Sequence, residues 1–385
     1  MNGRIERYSL IHAGMALDTR LDTASLRPVL DEVERRRWLF EHLPLDPVHR
    51  DWLRQRAWVR TVHGTIRIEG NTLSDLEVER LLEGAPGRSL PRKDVLEVLG
   101  TRSALGFADE IARDPKVVVD QAVIREIHRQ VLDGQSPLLT PGEYRRGENR
   151  AGTPTGEIIF TTPPSGDVPE LMRSLADWLA DDHGMPAPIL AALAHLEFVA
   201  IHPFNDGNGR TARILSRVLL IRGGYALDGL VSLDAWLDIM RSDYFTAIRA
   251  SIGRSYEPGY DATPFADFFV RAITGAADHV LARIRGMGEI QIKVRRDVIA
   301  GKLPPAMLDA LVYAWISRSL RAADYQRVTG RTAPTASRDL GAAASLGYLI
   351  AEGVSRDRWY RLGPRLLETP AAGEPADPRE STPRA

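Results

Sequence analysis

Apolar positions recur at helical spacing over most of the chain. From Ser25 to Leu43 they alternate with dense charge, the pattern of a surface helix. Pro47 suits the first turn of a longer helix, which carries Trp52, Trp58, Val59, Val62 and Ile66 at helical spacing. That helix ends near Glu69-Gly70-Asn71, where Gly70 and Asn71 suit a C-cap. Ser74 with Glu77 reads as a capping box for a short helix running to about Glu83. Further helices are predicted over 91–113, 119–133, 168–182, 186–201, 209–222, 231–252 and 264–286. The one over 186–201 is apolar on every side (Ile189, Leu190, Leu193, Leu196, Phe198, Val199), so it is expected to be buried. Residues 1–25 are mixed in character and predict no single element.

Two stretches break this rhythm. Between 137 and 166, prolines and glycines cluster, and Glu157-Ile-Ile-Phe-Thr161 is β-prone after the turn signal Pro154-Thr-Gly156. A short β-hairpin inside a loop is expected there, over 151–162. Gly286 to Gly288 reads as a domain boundary. After it come helices near 304–316, 321–329 and 333–346, then short strands at Leu349-Ile350 and Trp359–Leu362, in the order of a winged helix-turn-helix. Thr332 suits the N-cap of the last of these helices and Pro334 its first turn. From Glu368 the Pro-, Ala- and charge-rich tail reads as disordered. The expected fold is therefore mainly α. It comprises an N-terminal helical region (1–115), a helical core with a short β-hairpin (116–286), a winged-helix module (287–366) and a tail (367–385).

Composition narrows the function. With 385 residues, 44% hydrophobic and 26% charged, the chain has the make-up of a soluble globular protein. Fifty Lys and Arg against 51 Asp and Glu leave a formal charge of −1, so no global field draws it to nucleic acid or membrane. Locally the balance differs: residues 291–365 hold 13 Lys and Arg against six Asp and Glu, a surplus of +7 that makes DNA a candidate partner of that module, beside protein docking. The absence of cysteine excludes disulfides and thiolate metal sites. No apolar run approaches the ~20 residues of a membrane span, and the first residues lack the pattern of a signal peptide. A cytoplasmic protein without a membrane partner is expected.

The chemistry concentrates in His202-Pro-Phe-Asn-Asp-Gly-Asn-Gly-Arg-Thr-Ala-Arg213. Pro203 disfavours helical geometry at His202, so the preceding helix must turn there and can present the imidazole to a cavity. An imidazole with an ordinary pKa near ~6.5 can accept a proton at neutral pH. Asp206 is a hard oxygen ligand suited to Mg²⁺ carrying phosphates. Gly207, Asn208 and Gly209 let main-chain N–H groups converge on an anion at the start of the next helix. Arg210 and Arg213, three residues apart, share the helix face beside it. Each part alone is commonplace in a structural role. Their co-occurrence in twelve residues points to phosphoryl chemistry on a nucleotide.

This segment resembles the signature of the Fic family, His-Pro-Phe-x-Asp-Gly-Asn-Gly-Arg-x-x-Arg, at every fixed position, and the likeness extends over about residues 50–285. The resemblance implies a mostly helical enzyme that transfers AMP from ATP to a Ser, Thr or Tyr hydroxyl of a target protein. It implies His202 as the base, Asp206 as the Mg²⁺ ligand, and Gly207, Asn208 and Gly209 as the anion hole. Arg210 would hold the β-phosphate and Arg213 the γ-phosphate. Thr65-Ile-Arg-Ile-Glu69-Gly70 resembles the family's inhibitory motif, in which Glu69 would pair with Arg213 and block productive ATP binding. Where relatives carry paired tyrosines lining the nucleotide pocket, this chain has Tyr244-Phe245, a departure that leaves the base contacts open. A homodimer is a further expectation. Alternatives are a DNA-binding regulator whose core senses nucleotide, a different donor, and removal of AMP.

Overall fold

The computed structural model describes residues 6–12, 15–84, 90–152, 158–181, 184–353 and 358–367. The tail from Glu368 and the turn Pro154-Thr-Gly156 lie outside these residues. The chain is mainly helical and divides into two compact units. One comprises 1–43 and 57–276, the other 44–56 and 277–385. Most of the expected 1–115 and 116–286 regions falls in the first unit, and their segments 44–56 and 277–286 fall in the second.

The first unit opens with an antiparallel hairpin, β1 (Glu6–His12) and β2 (Met15–Leu21), where no element had been expected. Asp22 then caps α1 (Thr23–Glu41) by accepting from the N–H groups of Ala24 and Ser25. α2 (Pro47–Ile68) starts at its proline and ends in a turn with Gly70 at φ +95°. The Ser74/Glu77 capping box opens α3 (Asp75–Leu82). α4 (Arg92–Arg113) follows, then α5 (Gln121–Val131), which Asp120 caps through the Val123 N–H. The expected hairpin is present as β3 (Arg150–Gly152) and β4 (Ile158–Thr161), antiparallel with an irregularity at Ala151/Gly152.

α6 (Val168–Ala180), α7 (Ala187–Ile201) and α8 (Asn208–Arg222) build the core around the motif. α7 is buried nearly all round, as its sequence predicts, and α8 packs along it and against α4 and α5. The single helix expected over 231–252 is two, α9 (Leu233–Ile239) and α10 (Arg241–Ile252), because the backbone at Met240 leaves helical geometry.

α11 (Thr263–Ile299) runs unbroken through the glycines taken as a boundary. Gly286 has a packing reason instead: a Cβ there would lie 2.4 Å from the Trp315 ring. The second unit continues with α12 (Met307–Ser317), β5 (Leu320–Arg321), α13 (Ala322–Thr329), α14 (Ala333–Ser345), β6 (Leu349–Glu352), β7 (Trp359–Leu362) and α15 (Pro364–Leu367). Its three strands form an antiparallel sheet in the order β5-β7-β6.

Candidate active site

The motif forms the turn between α7 and α8. His202 ends α7 in the left-handed region, φ +49° and ψ +60°, and its N–H still reaches Phe198. A non-glycine residue is held there at some cost, which the surroundings must offset. Arg145 helps to hold it. Its Nε donates to the His202 carbonyl at 3.0 Å, its Nη2 to Pro163 at 2.6 Å, and its N–H to Pro203 at 2.9 Å.

The loop is pinned from two further sides. His128 lies flat on Phe204, ring centroids 3.6 Å apart. The Gly142 N–H donates to its Nδ1, so Nε2 carries the proton and donates to the Asp206 carbonyl at 2.9 Å. Asn208 uses both ends of its amide on Phe204, accepting from the N–H at 3.0 Å and donating to the carbonyl at 2.8 Å. Its side chain therefore shapes the loop, and anion recognition falls to the main chain. The first N–H groups of α8 have no partner within the helix and point out of its N-terminus.

Around that N-terminus the charged groups converge. Arg210 is 2% exposed, and its Nε and Nη1 are buried without an acceptor among the described residues. Buried guanidinium donors left unpaired are costly, and an anion would satisfy them. Asp206 is half exposed. Its Oδ1 accepts from the Gly207 N–H at 2.6 Å and lies 3.6 Å from Arg210. No cluster of three or more His, Cys, Asp or Glu could hold a metal among the described residues. One carboxylate beside an anion cradle suits Mg²⁺, which typically takes one or two carboxylates and completes its shell with substrate phosphates and water.

The His202 ring is largely withdrawn from water, and burial lowers its pKa to about 4. The Val199 carbonyl favours the charged ring, Arg145 opposes it, and Glu69 and Asp206 favour it. The imidazole is thus neutral and able to accept a proton at physiological pH. Nδ1 is buried without a hydrogen bond of regular geometry, which leaves Nε2 as the nitrogen open to a substrate.

Glu69 reaches into this cradle from the turn after α2. Its Oε1 accepts from Arg213 Nη2 at 2.7 Å and sits 2.3 Å from where a Cβ on Gly209 would be. Only glycine at 209 leaves room for that oxygen. Burial alone would raise the Glu69 pKa, but Arg213 and then Arg210 outweigh it and keep the carboxyl below its ordinary range. Thr65 completes the clasp: Arg213 donates through Nε to its hydroxyl at 2.7 Å and through Nη2 to its carbonyl at 2.9 Å.

Tyr244 and Phe245 are placed differently from one another. Tyr244 is buried behind Arg213, and Phe245 is 47% exposed. The Ser216 hydroxyl donates to Ala212, so His195 donates to Ser216 through Nδ1 at 3.0 Å and accepts from the Tyr244 hydroxyl through Nε2 at 2.8 Å. Burial pushes the His195 pKa down to about 3 and keeps the ring neutral. His195 is thus a buried hydrogen-bonding link. Arg145 and His128 were not singled out for the site. Arg145 lies in an aperiodic stretch, and the groups it binds are carbonyls that sequence does not place.

Comparisons with known proteins point to one family. Residues 118–220 match the model of the Fic/DOC family. A protein adenylyltransferase Fic of Culex quinquefasciatus is 33% identical over 220 residues, 54% of this chain and 42% of the relative. The solved structure of Fic-1 from C. elegans is similar with a TM-score of 0.56 at 27% identity, over 68% of this chain and 74% of that one. A Fic family protein from Desulfovibrio desulfuricans G20 shares the fold over 89% of this chain and 95% of its own, with a TM-score of 0.54 at 23% identity. The chain spans less than half the length of the curated relatives it matches.

Proposed function

We propose, from the match of residues 118–220 to the Fic/DOC family, that the chain is a member of that family and transfers AMP from ATP to a hydroxyl side chain of a target protein. One observation carries the reading. A neutral imidazole, an acid suited to magnesium and two buried arginines, one with unpaired donors, meet at the N-terminus of α8. The target hydroxyl attacks the α-phosphorus while its proton passes to His202 Nε2. The bond to the β-phosphate breaks, and pyrophosphate leaves. Arg210 and the main-chain N–H groups of Gly207, Asn208 and Gly209 neutralise the phosphates, and Arg213 takes the terminal one. Asp206 would hold Mg²⁺, which when bound would supply further charge neutralisation. The hairpin β3–β4 offers a strand on which an extended target segment can be laid.

Glu69 acts as a brake. Its carboxylate occupies the space beside Gly209 and takes the Arg213 edge that a terminal phosphate needs. Glu69→Gly is expected to raise transfer of label from α-labelled ATP to protein by about tenfold or more, the worth of one charged hydrogen bond. His202→Ala in that background abolishes transfer but leaves ATP binding intact. Labelling that survives His202→Ala would remove His202 as the base. A panel of nucleotide donors, with mass spectrometry of the adduct, separates AMP transfer from the use of another donor.

A second role is proposed for the other unit: a winged helix that binds duplex DNA through α14. The exposed Arg331, Arg338 and Arg358 make no ion pair among the described residues. The single carboxylate of α14, Asp339, is turned aside to accept from the Tyr325 hydroxyl at 2.6 Å.

A further inference from the structure

Arg213 is touched by two carboxylates, and the proposed reaction uses only one of them. Asp234 Oδ1 lies 3.6 Å from Arg213 Nε, and both side chains are buried. Asp234 stands in the first turn of α9, which Ser232 caps. We propose that Asp234 is a positioning residue: it fixes the Arg213 guanidinium in the phosphate cradle whether or not Glu69 is present. The proposal rests on the reading of Arg213 as the group that holds the terminal phosphate.

The argument begins with burial. A guanidinium withdrawn from water needs a counter-charge in every state of the site. Glu69 supplies it when the brake is on, and a triphosphate supplies it when substrate is bound. Between these states Glu69 has turned away and no phosphate has arrived. Asp234 is the one other carboxylate within ion-pairing distance of Arg213 among the described residues.

The geometry fits this division of labour. Glu69 lies on the turn beyond α2 with 35% of its side chain exposed, so it can swing without the helix moving. Asp234 is 7% exposed and cannot. Thr65 joins the two sides. Its hydroxyl accepts from Arg213 Nε at 2.7 Å, which leaves the hydroxyl proton for Asp234. The seam behind them is closed. Thr61 donates to the Ala57 carbonyl and so accepts from the Ser232 hydroxyl at 2.9 Å, and a Cβ on Gly64 would lie 2.6 Å from the Ala235 nitrogen. Thr65 is therefore fixed against α9, and Arg213 keeps Thr65 and Asp234 when Glu69 leaves. The Nη1 side of the fork stays turned to Gly209, where a Cβ would lie 3.2 Å from it.

The test uses nucleotide binding by the full-length Glu69→Gly protein with Mg²⁺, measured by calorimetry. ATP and ADP differ by the phosphate assigned to Arg213. Asp234→Ala and the isosteric Asp234→Asn, each in the Glu69→Gly background, are expected to cut the preference for ATP over ADP by about tenfold. ADP affinity should move less than about twofold, and Arg213→Ala should reproduce the pattern. An unchanged preference in both Asp234 variants overturns the proposal, as does a parallel loss of ATP and ADP binding. A crystal structure of the nucleotide-free Glu69→Gly protein gives a reading that needs no change at 234. Arg213 still on Thr65 and beside Asp234 supports the proposal, and a guanidinium turned elsewhere refutes it. Should the Glu69→Gly protein bind neither nucleotide, the transfer reading fails, and the position of Arg213 in that crystal still decides the role of Asp234.

Discussion

Glu197 precedes His202 by five residues on α7 and lies buried between two hydroxyls, accepting from Tyr256 through Oε1 at 3.3 Å and from Tyr260 through Oε2. Burial raises its pKa to about 7, and the two tyrosines only partly oppose the shift. The folded state therefore binds this proton more tightly than the unfolded chain. The favourable contribution is complete below the ordinary value near 4.5 and is lost as pH rises through about 7. At pH 8 the ionised, buried carboxylate costs about 3 kcal/mol. Glu197→Gln should accordingly raise the denaturant midpoint at pH 8 and leave it nearly unchanged at pH 5. An equal effect at both pH values would show that the gain comes from packing. Residues such as this mark where sequence reading stops. The motif from His202 to Arg213 is readable because its parts are adjacent in the chain. Glu197, Asp234, Arg145 and His128 owe their roles to partners 21 to 78 residues away, several of them carbonyl oxygens, and nothing in their own neighbourhoods announces this.

At the scale of elements, the contact between α2 and α9 sets how Thr65 and Glu69 meet Arg213. Gly64 lies where α2 meets the first turn of α9, and a Cβ there would come within 2.6–2.7 Å of the backbone of Asp234 and Ala235. Backbone atoms cannot rotate aside, so Gly64→Ala must push the helices apart. A destabilisation of about 1–3 kcal/mol is expected. Labelling from ATP should rise with it, because Thr65 and Glu69 move off Arg213. Unchanged melting would mean that the seam is looser than its geometry. Helix starts were legible where a cap is spelled out locally, as at Pro47 and at Ser74 with Glu77. The β1–β2 hairpin was not, because residues 6–21 carry no turn dipeptide and no clear alternation. The run of α11 through Gly286 and Gly288 was hidden for a different reason: the small residue there answers to Trp315, a partner from another helix.

For the whole molecule, the charge that is absent globally reappears in one unit. Residues 291–365 are basic while the chain as a whole stands at −1. If Arg331, Arg338 and Arg358 neutralise DNA phosphates, the logarithm of the binding constant should fall with the logarithm of salt concentration at a slope near −3, about −0.9 per phosphate. Arg338→Ala should reduce that slope by about one, and His202→Ala should leave it unchanged. A retardation that ignores salt, or none at low salt, would reassign the module to protein docking. Among the described residues, no helix is long and apolar enough to cross a membrane.

The grip of Asn208 on Phe204 also bears on how the protein ages. An asparagine followed by glycine, as at Asn208-Gly209, is a pair prone to spontaneous deamidation, in which the next main-chain nitrogen attacks the side-chain amide carbon. Here both amide atoms are tethered to Phe204, and the Gly209 nitrogen is fixed in the opening turn of α8. The folded molecule thus shelters this bond. A chain that lingers unfolded exposes it, and can emerge with an aspartate or isoaspartate in the loop that refolding cannot repair.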